Sequence, residues 1–353
     1  MILQSDWPTL LLHWFDANRR DLPWREVKPR NPYHVWVSEI MLQQTRTETV
    51  KGYFCRWIEQ FPSLEALAQA SEEQVLRAWQ GLGYYSRARN LHKAARQVMM
   101  EYGGEMPQDA RSLQRLPGIG AYTAGAIASM AFGQQVPAVD GNLLRVLARF
   151  YGVDQDIAST AGKKTLTGLA EAIIPEMRPG DFNEAMMDLG ADVCSPKNPR
   201  CDQCPLKGQC RAFREKRTDQ LPVKRPRAAQ KEFAAACGLV ARTGKFLLHK
   251  RPAKGMLASM WEFPMVLEKT KTEARQGLEE LLQAGAGETV WEHKHVFTHQ
   301  IWYMEAYILE GAKVPDGEYA FFSPDEWELI PLAGPHAKLA TFLKKGIDSK
   351  KRV

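Results

Sequence analysis

A chain of 353 residues has room for about two domains with buried cores. Its net charge of +6 is concentrated: Arg211 to Lys231 alone holds eight Lys/Arg against two Asp/Glu, which suits a solvated basic linker lying near a polyanion. No uncharged run is long enough for a membrane span. The start, MILQSDWPTLLLHWFD, lacks a basic n-region and a small-residue cleavage site, so a cytoplasmic chain with no membrane or secretory segment is expected.

Residues 5–24 read as an amphipathic helix ending at Leu22-Pro23-Trp24-Arg25. Asn31-Pro32-Tyr33 then opens a second, YHVWVSEIMLQQTRTETVKGYFCRWIEQF, whose front half is apolar nearly all round and therefore belongs in a core. Ser38 and Glu39 interrupt that front half. A carboxylate there is costly unless it is paired or protonated. Two readings stand: a buried acid with a raised pKa, usable as a general acid near neutral pH, or a glutamate paired with a buried arginine such as Arg25. Gln43-Gln44-Thr45-Arg46 leaves the core as a polar segment.

Pro62-Ser63-Leu64 opens another helix and Ser71 caps the next, which runs through Trp79 into GLGYYSRARN, residues 81–90. Tyr84 and Tyr85 on a Gly turn, followed by Arg87 and Arg89, suit a wedge-and-phosphate surface, since minor-groove proteins unstack bases with inserted side chains. Two core aromatics with surface arginines are the plainer alternative. Leu116 to Asn142 begins LPGIG, with Gly118 and Gly120 free to take the positive φ of a tight hairpin. An uncharged, Ala-rich helix follows from Ala121 to about Phe132. A Gly turn at a helix N-terminus is an anion site in waiting, or simply a packing corner. Asp140, after the Gly133 and Pro137 loop, is either a site acid or a helix cap. Helices with Arg145 and Arg149, and then from Asp181 through Glu184, complete an all-helical half.

Cys194, Cys201, Cys204 and Cys210 form C-x6-C-x2-C-x5-C. Four thiolates suit an iron–sulfur cluster, and the Pro-rich, basic interior argues against a zinc ribbon, which needs two CxxC pairs; zinc stays as the lesser alternative. Cys55 and Cys237 read as isolated, buried small residues. From about Lys231 the texture changes. FAAACGLVART-GKFLLHKR reads as a hairpin, WEHKHVFTHQIWYMEAYIL as further strands, and Thr272 to Gln283 and Ala337 to Lys345 as helices, an α+β domain. His293, His295 and His299 lack a cysteine or carboxylate to complete a metal site.

Taken together, LPWR at Leu22–Arg25, SEIMLQQT at Ser38–Thr45, GLGYYSRARN at Gly81–Asn90, VDGNLLRV at Val139–Val146 and FNEAMMDLGA at Phe182–Ala191 resemble the MutY adenine DNA glycosylases of the helix-hairpin-helix, Gly/Pro, Asp superfamily. The resemblance implies a mainly α N-terminal half with a 4Fe–4S loop over residues 1–220. A basic linker at 221–231 and an α+β, Nudix-like domain for 8-oxoguanine recognition at 232–353 would follow. GMLASMWEFP, Gly255 to Pro264, resembles the Nudix-like domain of that family; the catalytic Nudix box is absent, so no pyrophosphatase is expected. The implied partner is double-stranded DNA with adenine opposite 8-oxoguanine or guanine, bound by a monomer.

The resemblance also implies roles. Gly118 and Gly120 would grip phosphate, and Cys194, Cys201, Cys204 and Cys210 would ligate the cluster. Trp24, Arg25, Leu42 and Glu184 would form the adenine pocket, with Gln44 and Tyr84 near the opposing base. Glu39 would protonate N7 of the flipped adenine, and Asp140 would stabilise or capture the sugar cation. Asn142 would orient the site and Tyr122 would pack over the sugar. Thr298 and His299 would read 8-oxoguanine, with Thr298 where the family usually has serine. In endonuclease III, a relative that acts on oxidised pyrimidines, a lysine stands at the position of Tyr122. A tyrosine cannot form a Schiff base, so a glycosylase without efficient lyase activity is expected. Two alternatives stand beside this: an endonuclease III-like oxidised-pyrimidine glycosylase, disfavoured by Tyr122, Glu39 and the extra domain, and a non-catalytic damage-binding protein, disfavoured by Glu39 and Asp140.

Overall fold

The computed structural model describes residues 7–25, 29–225 and 230–350, with side chains to 346. The start of the first expected helix, at residues 5–6, and the linker stretch 226–229 lie outside the described residues. The chain divides into two compact units, Met1–Ala70 with Asn90–Pro226, and Ser71–Arg89 with Arg227–Val353. Residues 71–89 thus group with the C-terminal half.

The first unit is helical. Its elements are α1 (Trp7–Asn18), α2 (Pro32–Leu42), α3 (Thr47–Gln60) and α4 (Leu64–Gln69). After α5 (Glu72–Ala78) of the second unit come α6 (Ser86–Glu101), α7 (Ala110–Leu113), α8 (Ala121–Phe132), α9 (Gly141–Tyr151), α10 (Thr160–Ile173), α11 (Pro179–Asp188) and the short α12 (Arg211–Arg214). Asn31 caps α2, its side chain accepting from the Tyr33 N–H at 2.9 Å, and Pro32 opens the first turn. The long second helix expected from sequence is two: Gln43–Arg46 breaks it, and Gln44 takes φ +59°. A polar run following an apolar core segment cannot stay buried, so the chain turns out there.

Helix α8 packs against both α2 and α11, and its small residues allow close approach. A Cβ on Gly125 would stand 2.3 Å from the Pro137 carbonyl oxygen, so the Gly/Pro loop is seated directly on the helix. A second core joins α1, α9, α10 and α11 through Trp7, Leu11, Phe15, Leu147, Phe150, Leu166 and Phe182. Burying each such side chain contributes roughly 1.5–3 kcal/mol.

In the second unit, β5 (Met265–Glu268), β1 (Lys231–Leu239), β7 (Gln300–Ile308) and β6 (Thr289–Val296) form one sheet in that order, with β1 and β7 parallel. A second sheet runs β2 (Ala241–Arg242), β3 (Lys245–Lys250) and β4 (Trp261–Glu262), with β8 (Tyr319–Phe322) on β3. The hairpin expected over 233–251 is therefore only the short β2–β3 pair. Strand β1 is buried on both faces and belongs to the other sheet. Ala235, Cys237 and Leu239 face one core, while Ala234 and Ala236 face the core under α13 (Lys271–Leu282). Small residues on both sides suit a central strand covered twice. The C-terminal helix is α14 (Gly334–Lys350). Cys237 is buried as expected, but Cys55 is exposed. No helix among the described residues is long and apolar enough to cross a membrane.

Candidate active site

A cleft of about 330 Å³ in the first unit gathers nine of the residues singled out above. Trp24 and Arg25 come from a 3-10 turn before α2, Glu39 and Leu42 from α2, and Gln44 from the break after it. Tyr122 comes from α8, Asp140 and Asn142 from the start of α9, and Glu184 from α11.

Glu39 is 5% exposed, and its carboxylate accepts a hydrogen bond from the Tyr122 hydroxyl. Burial pushes its pKa up to about 7, and the nearby Glu184 and Asp140 charges add to the shift against the Tyr122 bond and Arg25. Arg25 is not its hydrogen-bond partner. Its guanidinium goes instead to Glu184 at 3.1 Å and to Asp188 at 2.7 and 3.1 Å. Glu39 is thus buried and bonded to Tyr122 rather than ion-paired with Arg25. The Tyr122 phenol is itself held well above its ordinary pKa, first by burial and then by the Glu39 charge, so it acts as a neutral donor. It meets Glu39, a contact its expected packing over a sugar did not include.

Asp140 caps α9, accepting from the Leu143 N–H at 2.7 Å and from Asn142 Nδ2 at 2.9 Å. The helix-cap reading holds, and the same residue also lines the cleft. Burial raises its pKa, opposed by those donors. Asn142 in turn accepts from Arg145 at 2.8 Å, and Arg145 donates to the Gly190 and Cys194 carbonyls at 2.7 and 2.8 Å.

Three further residues hold the cleft wall. Arg30 grips both oxygens of Glu184 at 2.7 and 2.5 Å. Asp188, fully buried, accepts from Arg20 at 2.7 and 2.5 Å as well as from Arg25. Sequence reasoning missed Arg20, Arg30 and Asp188. The available signal was the pair Glu184 and Asp188, one turn apart among apolar residues of α11 and so on one face.

Gly118 and Gly120 lie outside the cleft. Gly118 has φ +78° and would put a Cβ 2.7 Å from that of Asn90, so only glycine fits. Gly120 has φ −88° and open space around it, so one glycine of the pair, not both, supplies the positive φ. No side chain caps the N-terminus of α8, which leaves its first amides available.

Cys194, Cys201, Cys204 and Cys210 line one cavity with Arg149, whose guanidinium is 3.3 Å from the Cys194 sulfur and also holds the Ser195 and Leu221 carbonyls. Among the described residues, no three potential ligands gather tightly enough to share a single ion. Four soft sulfurs spread around one cavity fit a polynuclear cluster better than one tetrahedral ion.

In the second unit, Tyr84 is 45% exposed with φ +48°, whereas Tyr85 is buried, so of the two only Tyr85 is a core aromatic. The Tyr84 hydroxyl is hydrogen-bonded to that of Thr298, in the loop between β6 and β7. The His299 carbonyl accepts from the Lys231 N–H at 3.2 Å. His293 meets Lys338 at 3.1 Å.

Residues 37–172 match the HhH-GPD superfamily base excision DNA repair protein family, and residues 235–341 match the NUDIX domain. The chain is 40% identical to the adenine DNA glycosylase of Mus musculus over 82% of its own length and 67% of that protein. The chain belongs to the adenine DNA glycosylase family. It is a DNA glycosylase, cleaving N-glycosyl bonds by hydrolysis, with DNA as its partner. The Homo sapiens adenine DNA glycosylase is likewise 40% identical over 82% of this glycosylase, which spans 64% of the human protein. A thermostable thymine-DNA glycosylase structure superposes with a TM-score of 0.53 and 29% identity, covering 59% of this chain and 95% of that one. The helical fold and the α+β second half agree with the expectation from sequence.

Proposed function

We propose that this glycosylase excises adenine from duplex DNA where it faces 8-oxoguanine or guanine. The nucleotide is flipped into the cleft, because its glycosidic bond is out of reach inside the base stack. The observation that carries the reading is Glu39, an enclosed carboxyl with its pKa near 7, in one cleft with Asp140. A neutral carboxylic acid can hand its proton to adenine N7 and make the base a good leaving group. As the bond breaks, the sugar gains oxocarbenium character, as at a glycosidase. Asp140, its carboxylate held by the Leu143 and Asn142 donors, faces that cation. Water completes hydrolysis. Tyr122 offers no amine, so the strand is left intact at the abasic site. Arg25 and Arg30 hold Glu184 in place at the adenine edge of the cleft.

The test is single-turnover reaction with duplexes carrying adenine opposite 8-oxoguanine, adenine opposite guanine, or an oxidised pyrimidine. Adenine release with strands that break only after alkali is expected. Pyrimidine release instead, or efficient borohydride trapping, would overturn the reading.

Cys194, Cys201, Cys204 and Cys210 would hold a 4Fe–4S cluster, whose iron–thiolate bonds cross-link the loop when bound. Purified protein is expected to be yellow-brown with about four irons per chain. Stoichiometric zinc without labile sulfide rejects the assignment.

Thr298 and His299 supply the polar contacts that distinguish 8-oxoguanine from guanine, which differ by one oxygen and one hydrogen. The Thr298 hydroxyl, bonded to Tyr84 here, has a partner to exchange for the lesion. Thr298→Ala with His299→Ala is expected to shrink the preference for adenine opposite 8-oxoguanine over guanine by about 1–3 kcal/mol per lost contact. An unchanged ratio of single-turnover rates would assign the discrimination to residues other than Thr298 and His299, such as Gln44 and Tyr84.

A further inference from the structure

The two arginines after the Tyr84 turn were open to reading as phosphate contacts or as ordinary surface residues. Arg87 is engaged within the turn itself. Arg87 Nη2 donates to the Leu82 and Gly83 carbonyls, both at 3.1 Å. Its guanidinium lies over the Trp79 ring at 5.2 Å and over the Tyr84 ring at 5.5 Å from their centroids. Trp79 Nε1 donates to the same Gly83 carbonyl at 3.0 Å. The Gly81 N–H donates to the Tyr85 hydroxyl at 3.3 Å. Arg89 turns away to the Ala258 carbonyl at 2.6 Å.

These contacts converge on a strained tip. Tyr84 holds φ +48°, which costs a tyrosine on the order of 1–3 kcal/mol and persists only where surrounding contacts enforce it. Gly81 and Gly83 on either side also have positive φ, at +97° and +70°. A large aromatic side chain is thereby left 45% exposed, with its hydroxyl on Thr298, which hydrophobic burial alone would not do. One guanidinium nitrogen, Nη2, reaches two successive carbonyls while the planar, weakly hydrated cation lies over two rings; the compact, strongly hydrated ammonium of a lysine does not match that planar contact.

We infer that Arg87 is a positioning residue: it holds the tip carbonyls so that Tyr84 is presented, pre-formed, to the DNA base stack, and it makes no phosphate contact of its own. The inference rests on the reading of Tyr84 as the side chain that enters the stack near the opposing base. Presenting the ring ready-made saves the ordering cost that a flexible tip would incur on binding.

The experiment uses the full chain and a duplex with adenine opposite 8-oxoguanine, with 2-aminopurine next to the pair to report unstacking. Affinity is measured across a salt series for wild type, Arg87→Gln, Arg87→Lys, Tyr84→Ala and Tyr84→Ala with Arg87→Gln. Both Arg87 variants are expected to bind about tenfold more weakly, as for loss of one charge-assisted hydrogen bond, and to lose the fluorescence rise. The salt slope should stay at the wild-type value, and Arg87→Gln should add nothing in the Tyr84→Ala background. Three results would overturn the inference: wild-type binding by Arg87→Lys, a slope reduced by about 1 in Arg87→Gln, or additive losses in the double variant. Wild-type affinity and fluorescence in Tyr84→Ala would instead refute the wedge reading beneath it. Should Arg87→Gln fail to fold, Arg87→Lys carries the same comparison, alone and with Tyr84→Ala.

Discussion

Glu39→Gln is expected to cut single-turnover adenine release by a factor on the order of 10²–10⁴ while making the protein more stable at alkaline pH. Both effects have one cause. Glutamine keeps the shape and can still accept the Tyr122 hydrogen bond, but it has no proton to give and no charge to bury. In the wild type, burial raises the Glu39 pKa from 4.5 to about 7 in the folded protein. The folded state therefore binds the proton more tightly than the unfolded chain. Its contribution to stability is full below pH 4.5 and is lost as pH rises toward 7. A shift of that size corresponds to roughly 3 kcal/mol once the group is fully ionised. Urea denaturation at pH 5 and pH 8 should show the gap between variant and wild type widening with pH. Wild-type excision should also fall as pH passes 7, where the acid form is lost. A folded Glu39→Gln protein with appreciable single-turnover activity would remove Glu39 from the mechanism. A stability gap independent of pH would remove the buried-acid account.

Asp188→Ala carries the largest expected loss of stability, about 3–5 kcal/mol, because it strands buried charge. Asp188 is fully buried, and Arg25 beside it is 8% exposed at the side chain. Without the carboxylate, Arg25 keeps, among the described residues, hydrogen bonds to Glu184 and the Arg20 carbonyl, and Arg20 loses its short contacts. Asp188→Asn keeps some acceptors and should cost less. Glu48→Ala, at the exposed Lys51 pair, is the contrast, since surface pairs contribute about 0–1 kcal/mol. Urea midpoints for the three variants are the measurement. An Asp188→Ala midpoint indistinguishable from that of Glu48→Ala would show that water or rearrangement satisfies the arginines. A displaced Arg25 also loosens Glu184, so Asp188→Ala should weaken binding of the target duplex in whatever fraction stays folded.

Much of the site was legible because its chemistry sits in contiguous motifs. An acid inside an apolar helix, as at Glu39, announces its own desolvation, and a glycine such as Gly118 announces a backbone turn. The four closely spaced cysteines likewise draw attention whatever the fold around them. Each of these signals is local, and local periodicity reports whether a residue is buried. It does not report what the residue is buried against. That is why Arg25 looked like a partner for Glu39 yet pairs with Glu184 and Asp188, which lie 159 and 163 residues further along the chain. It is also why Arg87 looked like a surface cation. The same limit applied to β1, whose alternating small residues suited a hairpin until two cores covered both of its faces.

The sequence by itself determined the helical first half, the α+β second half, the family and the identity of the acids in the cleft. Side-chain type and spacing along one helix or loop suffice for those. Only the tertiary structure decided the ionic partners, the shared role of Asp140 as cap and cleft acid, and the strained tip at Tyr84. Each of those depends on which distant elements are brought within hydrogen-bond reach, and a buried charge or a strained turn is stable only once those elements have met.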